Sequence, residues 1–91
     1  MEFDFYSFGL QTPMPFRISV IIPAFNEEQS IGLVLNALLQ YQLHEIIVVD
    51  NNSTDNTARF ASEKGARVVA QKRRGYGSAC LKGISELDNP D

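Results

Sequence analysis

The chain holds one cysteine, Cys80, in 91 residues, so no disulfide can form within it and a reducing compartment is its natural setting. A lone thiol of this kind is expected as a buried structural side chain. No apolar run approaches the roughly 18 to 20 residues needed to span a bilayer. The first sixteen residues carry acids at Glu2 and Asp4 and no lysine or arginine, which excludes the basic start of a secretory signal. Neither sign of charge dominates, and a net charge of −3 gives no electrostatic footprint for nucleic acid. No internal repeat or low-complexity linker interrupts the chain. These absences together describe a soluble, cytoplasmic chain that binds no nucleic acid.

What is present is ordinary globular composition, with 44% hydrophobic and 21% charged residues, in a length that suits one small domain. Residues 1–16 stand apart as an aromatic extension: Phe3, Phe5, Tyr6, Phe8 and Phe16 are interrupted by Gly9, Pro13 and Pro15. Pro13-Met14-Pro15 forces an extended connection. The extension is expected to lay its rings on the body of the domain, or else to meet an acceptor or a membrane surface.

The body, 17–91, alternates two periods. Ile18-Ser19-Val20-Ile21-Ile22 is a strand stopped by Pro23. Asn26-Glu27-Glu28-Gln29 opens a helix, with Asn26 as cap and two acids at the positive end of its dipole. From Ile31, the residues Val34, Leu35, Leu38 and Leu39 recur at helical spacing and are expected to face the core. Ile46-Ile47-Val48-Val49 is an apolar β-branched run of the kind found in a strand buried on both faces. Ser53 or Thr54 then caps a helix reaching about Lys64, and Gly65 supplies the positive φ of a helix C-terminus. Ala66-Arg67-Val68-Val69-Ala70 is a third strand. The last helix is expected from Ser78 to Leu87, with Ala79, Leu81, Ile84 and Leu87 inward, ended by a turn over 88–91. The order βαβαβα is that of a parallel α/β unit.

Parallel strands deliver their following loops to one rim, where open α/β sheets bind ligands. Pro23-Ala24-Phe25-Asn26-Glu27, Asp50-Asn51-Asn52-Ser53 and Lys72-Arg73-Arg74-Gly75-Tyr76-Gly77 gather there. Asp50 can accept from a nucleobase N–H or a ribose hydroxyl, or Asp50 and Asn52 can simply shape the turn and cap the next helix. Lys72, Arg73 and Arg74 can neutralise a diphosphate, with Gly75 and Gly77 letting backbone approach it, or can form a solvated loop. Gly75-Tyr76-Gly77 imitates the start of a dinucleotide fingerprint, but it follows the third strand, and Cys80 stands where the last glycine belongs. His44 is taken as a loop residue.

These stretches (Ile18 through Glu28, Ile46 through Thr57, and Gly75-Tyr76-Gly77-Ser78-Ala79) resemble family 2 glycosyltransferases of the GT-A fold, most closely the branch with dolichyl-phosphate mannose or glucose synthases. The likeness covers 17–91 and implies a three-layer Rossmann-like sheet, here a partial GT-A domain. It implies a UDP- or GDP-sugar donor held by Pro23, Ala24, Phe25, Glu27, Asp50, Asn52, Arg74 and Gly75. It further implies inverting transfer of a hexose to a polyprenyl phosphate or other acceptor, with the intact enzyme associated with a membrane. The frequent family pattern Asp-Asp-Gly-Ser stands here as Asp50-Asn51-Asn52-Ser53, and an amide at 51 both donates and accepts, which leaves the base open.

The family's Asp-X-Asp metal motif lies on a strand beyond Asp91. A divalent metal, Mn or Mg, is therefore expected for the intact enzyme and none for this chain alone, which is assigned no catalytic residue and no sugar transfer. The alternative reading is a non-catalytic nucleotide- or phosphate-binding α/β module. Without that further strand, the first strand presents an unpaired apolar edge, so the chain is expected to self-associate through it or to cover it with the aromatic extension. Light scattering should therefore show a dimer or larger species, or NMR an immobilised amino terminus. A monomer with a mobile amino terminus contradicts both.

Overall fold

The computed structural model describes residues 17–87. The aromatic extension over 1–16 and the turn at 88–91 lie outside the described residues. Three strands, β1 (Ser19–Ala24), β2 (Glu45–Asp50) and β3 (Arg67–Ala70), alternate with three helices, α1 (Ile31–Leu38), α2 (Thr57–Glu63) and α3 (Tyr76–Ser85). The strands are parallel and pair in chain order, with Val20 opposite Ile46 and Val48 opposite Val68.

β2 lies in the middle, and its Ile47, Val48 and Val49 have no exposed surface. Successive side chains of a strand point to opposite faces. Val48 packs with Ala24, Ile31, Leu35 and Ala61, on the side of α1 and α2. Ile47 and Val49 pack with Ala79, and with Ile21, Val69 and Leu87 at the margin, on the side of α3. The sheet is therefore sandwiched between two helix layers, the three-layer α/β arrangement expected. Each such fully buried side chain gives about 1.5–3 kcal/mol of transfer free energy.

The element boundaries differ from expectation in instructive ways. β1 runs through Pro23 to Ala24 instead of stopping before the proline. Among the described residues β1 pairs only with β2, and a residue without an N–H is tolerated on such an edge. Asn26 does not cap α1: its φ is 53°, and a turn through Glu27, whose carbonyl accepts from Ser30 N (3.0 Å) and Ile31 N (2.8 Å), delays the helix to Ile31. α2 begins at Thr57 rather than after Ser53 or Thr54, because those two side chains bond to Asn26 instead. Its end is as expected. Gly65 has φ 93°, its N–H donates to Ser62 O (3.0 Å), and Ala66 N–H donates to Ala61 O (3.2 Å), the paired bonds of a Schellman cap.

The inward faces are narrower than the hydrophobic spacing implies. On α1, Ile31 and Leu35 are buried, while Val34 and Leu39 are exposed. On α3 the buried residues are Ala79 and Gly83, and Leu81 and Ile84 point outward. α3 meets the sheet through its small residues, so its backbone approaches too closely for leucine-sized contacts. A Cβ built on Gly83 would overlap Ile21 Cγ2 and sit 3.2 Å from Val49 Cγ2. Cys80, expected to be buried, is only partly so. It lies one turn after Tyr76, whose hydroxyl is held above its ordinary 10.0 first by a hydrogen bond with the Cys80 side chain and then by repulsion from negative charge on that sulfur.

The far end of α3 is tied to β3. Arg67 Nη1 donates to Glu86 O at 2.9 Å, its other amino group pairs with the Glu86 carboxylate, and Lys82 Nζ lies 3.3 Å from Glu86 Oε2. The Lys82 hydrogen bond, helped by the charges of Lys82 and Arg67, holds the Glu86 carboxyl below its ordinary value against opposing desolvation.

Gly83→Ala should destabilise the domain by about 1–3 kcal/mol, as overpacked cores do. Gly77→Ala, whose Cβ meets nothing within 4 Å, should be neutral or slightly stabilising. Urea-unfolding midpoints of the two variants make the comparison.

Candidate functional site

The carboxyl ends of the three strands bring their loops together, and polar side chains stitch the loops to one another. The first loop is locked to the second. Asn26 N donates to Ser53 Oγ (2.9 Å), and Asn26 Oδ1 accepts from Thr54 N (2.9 Å). Glu27 N donates to Thr57 Oγ1 (2.8 Å), Glu28 N to Asp55 Oδ2 (3.3 Å), and Asn56 N to Glu28 Oε1 (2.9 Å). Asp55 also accepts from Thr57 N at 3.0 Å and, through a short bond, from the Thr57 hydroxyl. Desolvation pushes the Asp55 carboxyl up, yet the bonds from the Thr57 hydroxyl, Thr57 N–H and Glu28 N–H outweigh it and hold the group below its ordinary 3.8. This lock borders a cavity of about 280 Å³ lined by Asn26, Glu27, Glu28, Gln29, Ser30 and Asp55.

The third loop is held by one residue. Asn51 is only 7% exposed. Its Nδ2 donates to Gln71 O (2.7 Å) and Arg73 O (2.8 Å), and its Oδ1 accepts from Gly75 N (3.0 Å). Its backbone N–H extends the β1–β2 ladder by bonding Ala24 O at 2.8 Å. Both amide hydrogens and the carbonyl are thus committed inside the protein. Asn51, expected on the rim as a reader of the base, is a clamp instead.

Of the remaining expected residues, the structure brings Phe25 and Arg74 into contact and leaves the others in their own strand ends and loops. Asp50 Oδ1 accepts from Ser53 N at 3.2 Å, shaping the turn, while Oδ2 makes no hydrogen bond among the described residues. Both readings of Asp50 therefore have an oxygen. The Arg74 guanidinium lies over the Phe25 ring, 3.9 Å from its centroid, joining the first and third loops by a cation–π contact. Gly75 has φ 124°, a conformation that costs a side-chain-bearing residue dearly, and it precedes α3. Asn52 has φ 70° and is exposed. It stands where the family pattern has glycine, and asparagine tolerates that conformation best among the others. Pro23 and Ala24 end β1 opposite Val49 and Asp50. Glu27 is exposed, its Oε1 accepting from Ser30 Oγ at 3.0 Å.

Sequence reasoning missed the Asn51 clamp, the Asn26–Ser53 lock and the Phe25–Arg74 stack. A signal for the first existed in the strand's alternation: Ile47 and Val49 face α3, so residue 51 leaves the sheet on the side where the third loop runs. The other two join residues 27 and 49 positions apart, beyond any local pattern.

Residues 19–90 match the sequence pattern of Glycosyl transferase family 2. The chain belongs to that family. An uncharacterized glycosyltransferase of Mycobacterium tuberculosis is 44% identical over 73 residues, spanning 80% of this chain and 33% of that protein. Protein RfbJ of Shigella flexneri is 39% identical over 74 residues, spanning 80% of this chain and 57% of that protein. Among solved structures, glucosyl-3-phosphoglycerate synthase from Mycobacterium tuberculosis, in complex with Mn2+, UDP and phosphoglyceric acid, superimposes with a TM-score of 0.67 at 36% identity. That likeness covers 76% of this chain and 28% of the synthase. The chain thus spans about a third of the length of the mycobacterial glycosyltransferase. The likeness to the synthase agrees with the parallel three-layer fold of this family 2 chain.

The Asp55 carboxyl should titrate below 3.8, and Thr57→Val should raise its midpoint by removing the hydroxyl bond. A group depressed in the folded state stabilises the fold above its unfolded value, and that stabilisation is lost as pH falls through the folded value. Asp55→Asn should therefore flatten the loss of stability below about pH 4, as followed by carboxyl-carbon NMR and urea unfolding across the acid range.

Proposed function

We propose that residues 17–87 form the donor-holding part of a family 2 glycosyltransferase, binding the nucleoside diphosphate of a nucleotide sugar at the strand rim. The observation that carries this reading is the convergence of the Arg74 guanidinium on Phe25 beside a loop in which Asp50 Oδ2 has no hydrogen-bond partner among the described residues. The Asp50 carboxylate accepts from a nucleobase N–H or ribose hydroxyl. Arg74 presents fixed donors and full charge to the diphosphate, which suits a guanidinium better than an ammonium. Phe25 offers an aromatic face, and the Gly75 backbone lets the diphosphate approach closely. Pro23, Ala24, Glu27 and Asn52 line the same rim.

UDP is favoured over GDP as the nucleotide, because the synthase of like fold is described in complexes with UDP and with UDP-glucose. The acceptor carries phosphate in either line of support: polyprenyl phosphate by resemblance to the dolichyl-phosphate synthases, phosphoglyceric acid by likeness to the mycobacterial synthase. Transfer of a hexose with inversion belongs to the intact enzyme, and this reading assigns residues 17–87 donor binding and no chemical step. Mn2+ accompanies UDP in the synthase complex. Among the described residues no group of three or more His, Cys, Asp or Glu side chains could hold such an ion. No described helix is long and apolar enough to cross a membrane.

Calorimetric titration should show UDP and UDP-glucose binding and GDP binding more weakly. Asp50→Asn keeps an acceptor for the Ser53 N–H but loses the charge, and should weaken UDP about tenfold, a charged hydrogen bond being worth about 1.5–3 kcal/mol. Absence of any UDP binding at millimolar concentration would overturn the reading.

A further inference from the structure

We propose that Asn51 is a positioning residue for the diphosphate, and that its amide, which a carboxylate cannot replace, sets Arg74 over Phe25. The ligand in this proposal rests on the donor-binding reading, whereas the internal geometry stands without it. Arg74 lies between the two backbone groups that Asn51 holds on either side: Arg73 O, which accepts from Asn51 Nδ2, and Gly75 N, which donates to Asn51 Oδ1. A third bond, to Gln71 O, anchors the start of the loop. One buried side chain therefore fixes the backbone before and after the arginine. The orientation of the amide is settled by its neighbours, since two carbonyls on one side demand N–H donors there.

Chemistry makes the position selective. The family pattern commonly has an acid at this place. Here a carboxylate would turn lone pairs toward Gln71 O and Arg73 O, keep only the bond from Gly75 N, and bury a charge that no cation meets within the clamp. Such an arrangement is costly on each count. The loop would leave this path, and the guanidinium with it. Arg74 makes no ion pair among the described residues, only its contact with the Phe25 ring, so its charge remains available for an anion as long as the clamp keeps it there. Asn51 itself, nearly inaccessible, touches no ligand. It acts through Arg74.

The test uses the full chain, isotopically labelled. Arg74 side-chain protons lying over the Phe25 ring face are shifted upfield by its ring current. In Asn51→Asp at neutral pH that shift should be largely lost. It should return in part toward about pH 5, as the carboxyl, its proton affinity raised by burial and by the facing carbonyls, protonates and donates to one of them. The unsubstituted chain should show no such dependence. Asn51→Ser, which removes both donors without adding charge, should lose the shift at every pH and supplies the readout if Asn51→Asp does not fold. UDP affinity should fall about tenfold in Asn51→Asp while uridine affinity stays within about twofold, and in an Arg74→Ala background the same substitution should add less than about twofold. An undisturbed Arg74 shift in a folded Asn51→Asp or Asn51→Ser chain overturns the proposal, as does an equal loss of UDP affinity with and without Arg74. Should the unsubstituted chain bind no UDP, the donor-binding reading fails while the ring-current measurement still decides the role of Asn51.

Discussion

The constraint on which the structure depends is the burial of β2 on both faces. Ile47, Val48 and Val49 are sealed from solvent, and alternate side chains are claimed by different helix layers. A slip of one residue would exchange those layers and strand every contact, so the register with β1 and β3 is fixed. Fixing the register fixes the height at which the strand releases its polar residues. Asp50 emerges opposite Ala24 and Ala70, and Asn51 emerges on the α3 side beneath the third loop. The rim chemistry is thus a consequence of apolar packing several residues away.

A second principle shapes the rim itself. Its loops contain few apolar contacts, so they are ordered by bonds between side chains of one loop and backbone of another. Asn26, Ser53, Thr57 and Asp55 join the first two loops, and Asn51 holds the third. Buried polar groups that are fully satisfied rigidify their surroundings. This leaves Asp50 Oδ2 and the Arg74 guanidinium without a hydrogen bond or ion pair among the described residues, in loops that are themselves held in place.

The strands, their alternation with helices and the Gly65 cap were legible in the sequence because each rests on local pattern: β-branched runs, helical spacing, and a glycine where positive φ is needed. Helix faces were less legible. Leu81 and Ile84 look like core residues on spacing alone, but Gly83 and Ala79 bring α3 so close to Ile21 and Val49 that only small residues fit. Hydrophobicity reports which side chains favour burial, whereas backbone proximity decides which can have it. At the rim, Asp50, Phe25 and Arg74 were singled out from motif and charge, and the structure brings Phe25 and Arg74 into contact. Asn51 was recognisable as polar and misjudged in role, since its partners are backbone groups more than twenty positions onward in part, and backbone groups leave no mark in the residue types.

The pairing of the strands in chain order has a consequence for biosynthesis. Because β1, β2 and β3 neighbour one another in the order in which they are written, the second and third strands each find a partner already synthesised when they leave the ribosome. β2 can add to β1, and β3 to β2, without waiting for distant sequence. The rim is different. Its last bond reaches forward from Asn51 to the N–H of Gly75, so the third loop cannot take its shape until translation has passed that residue and α3 has begun to cover Ile47 and Val49. Strand order thus permits the sheet to be laid down as the chain grows, while the surface that carries the polar chemistry can be completed on it only afterwards.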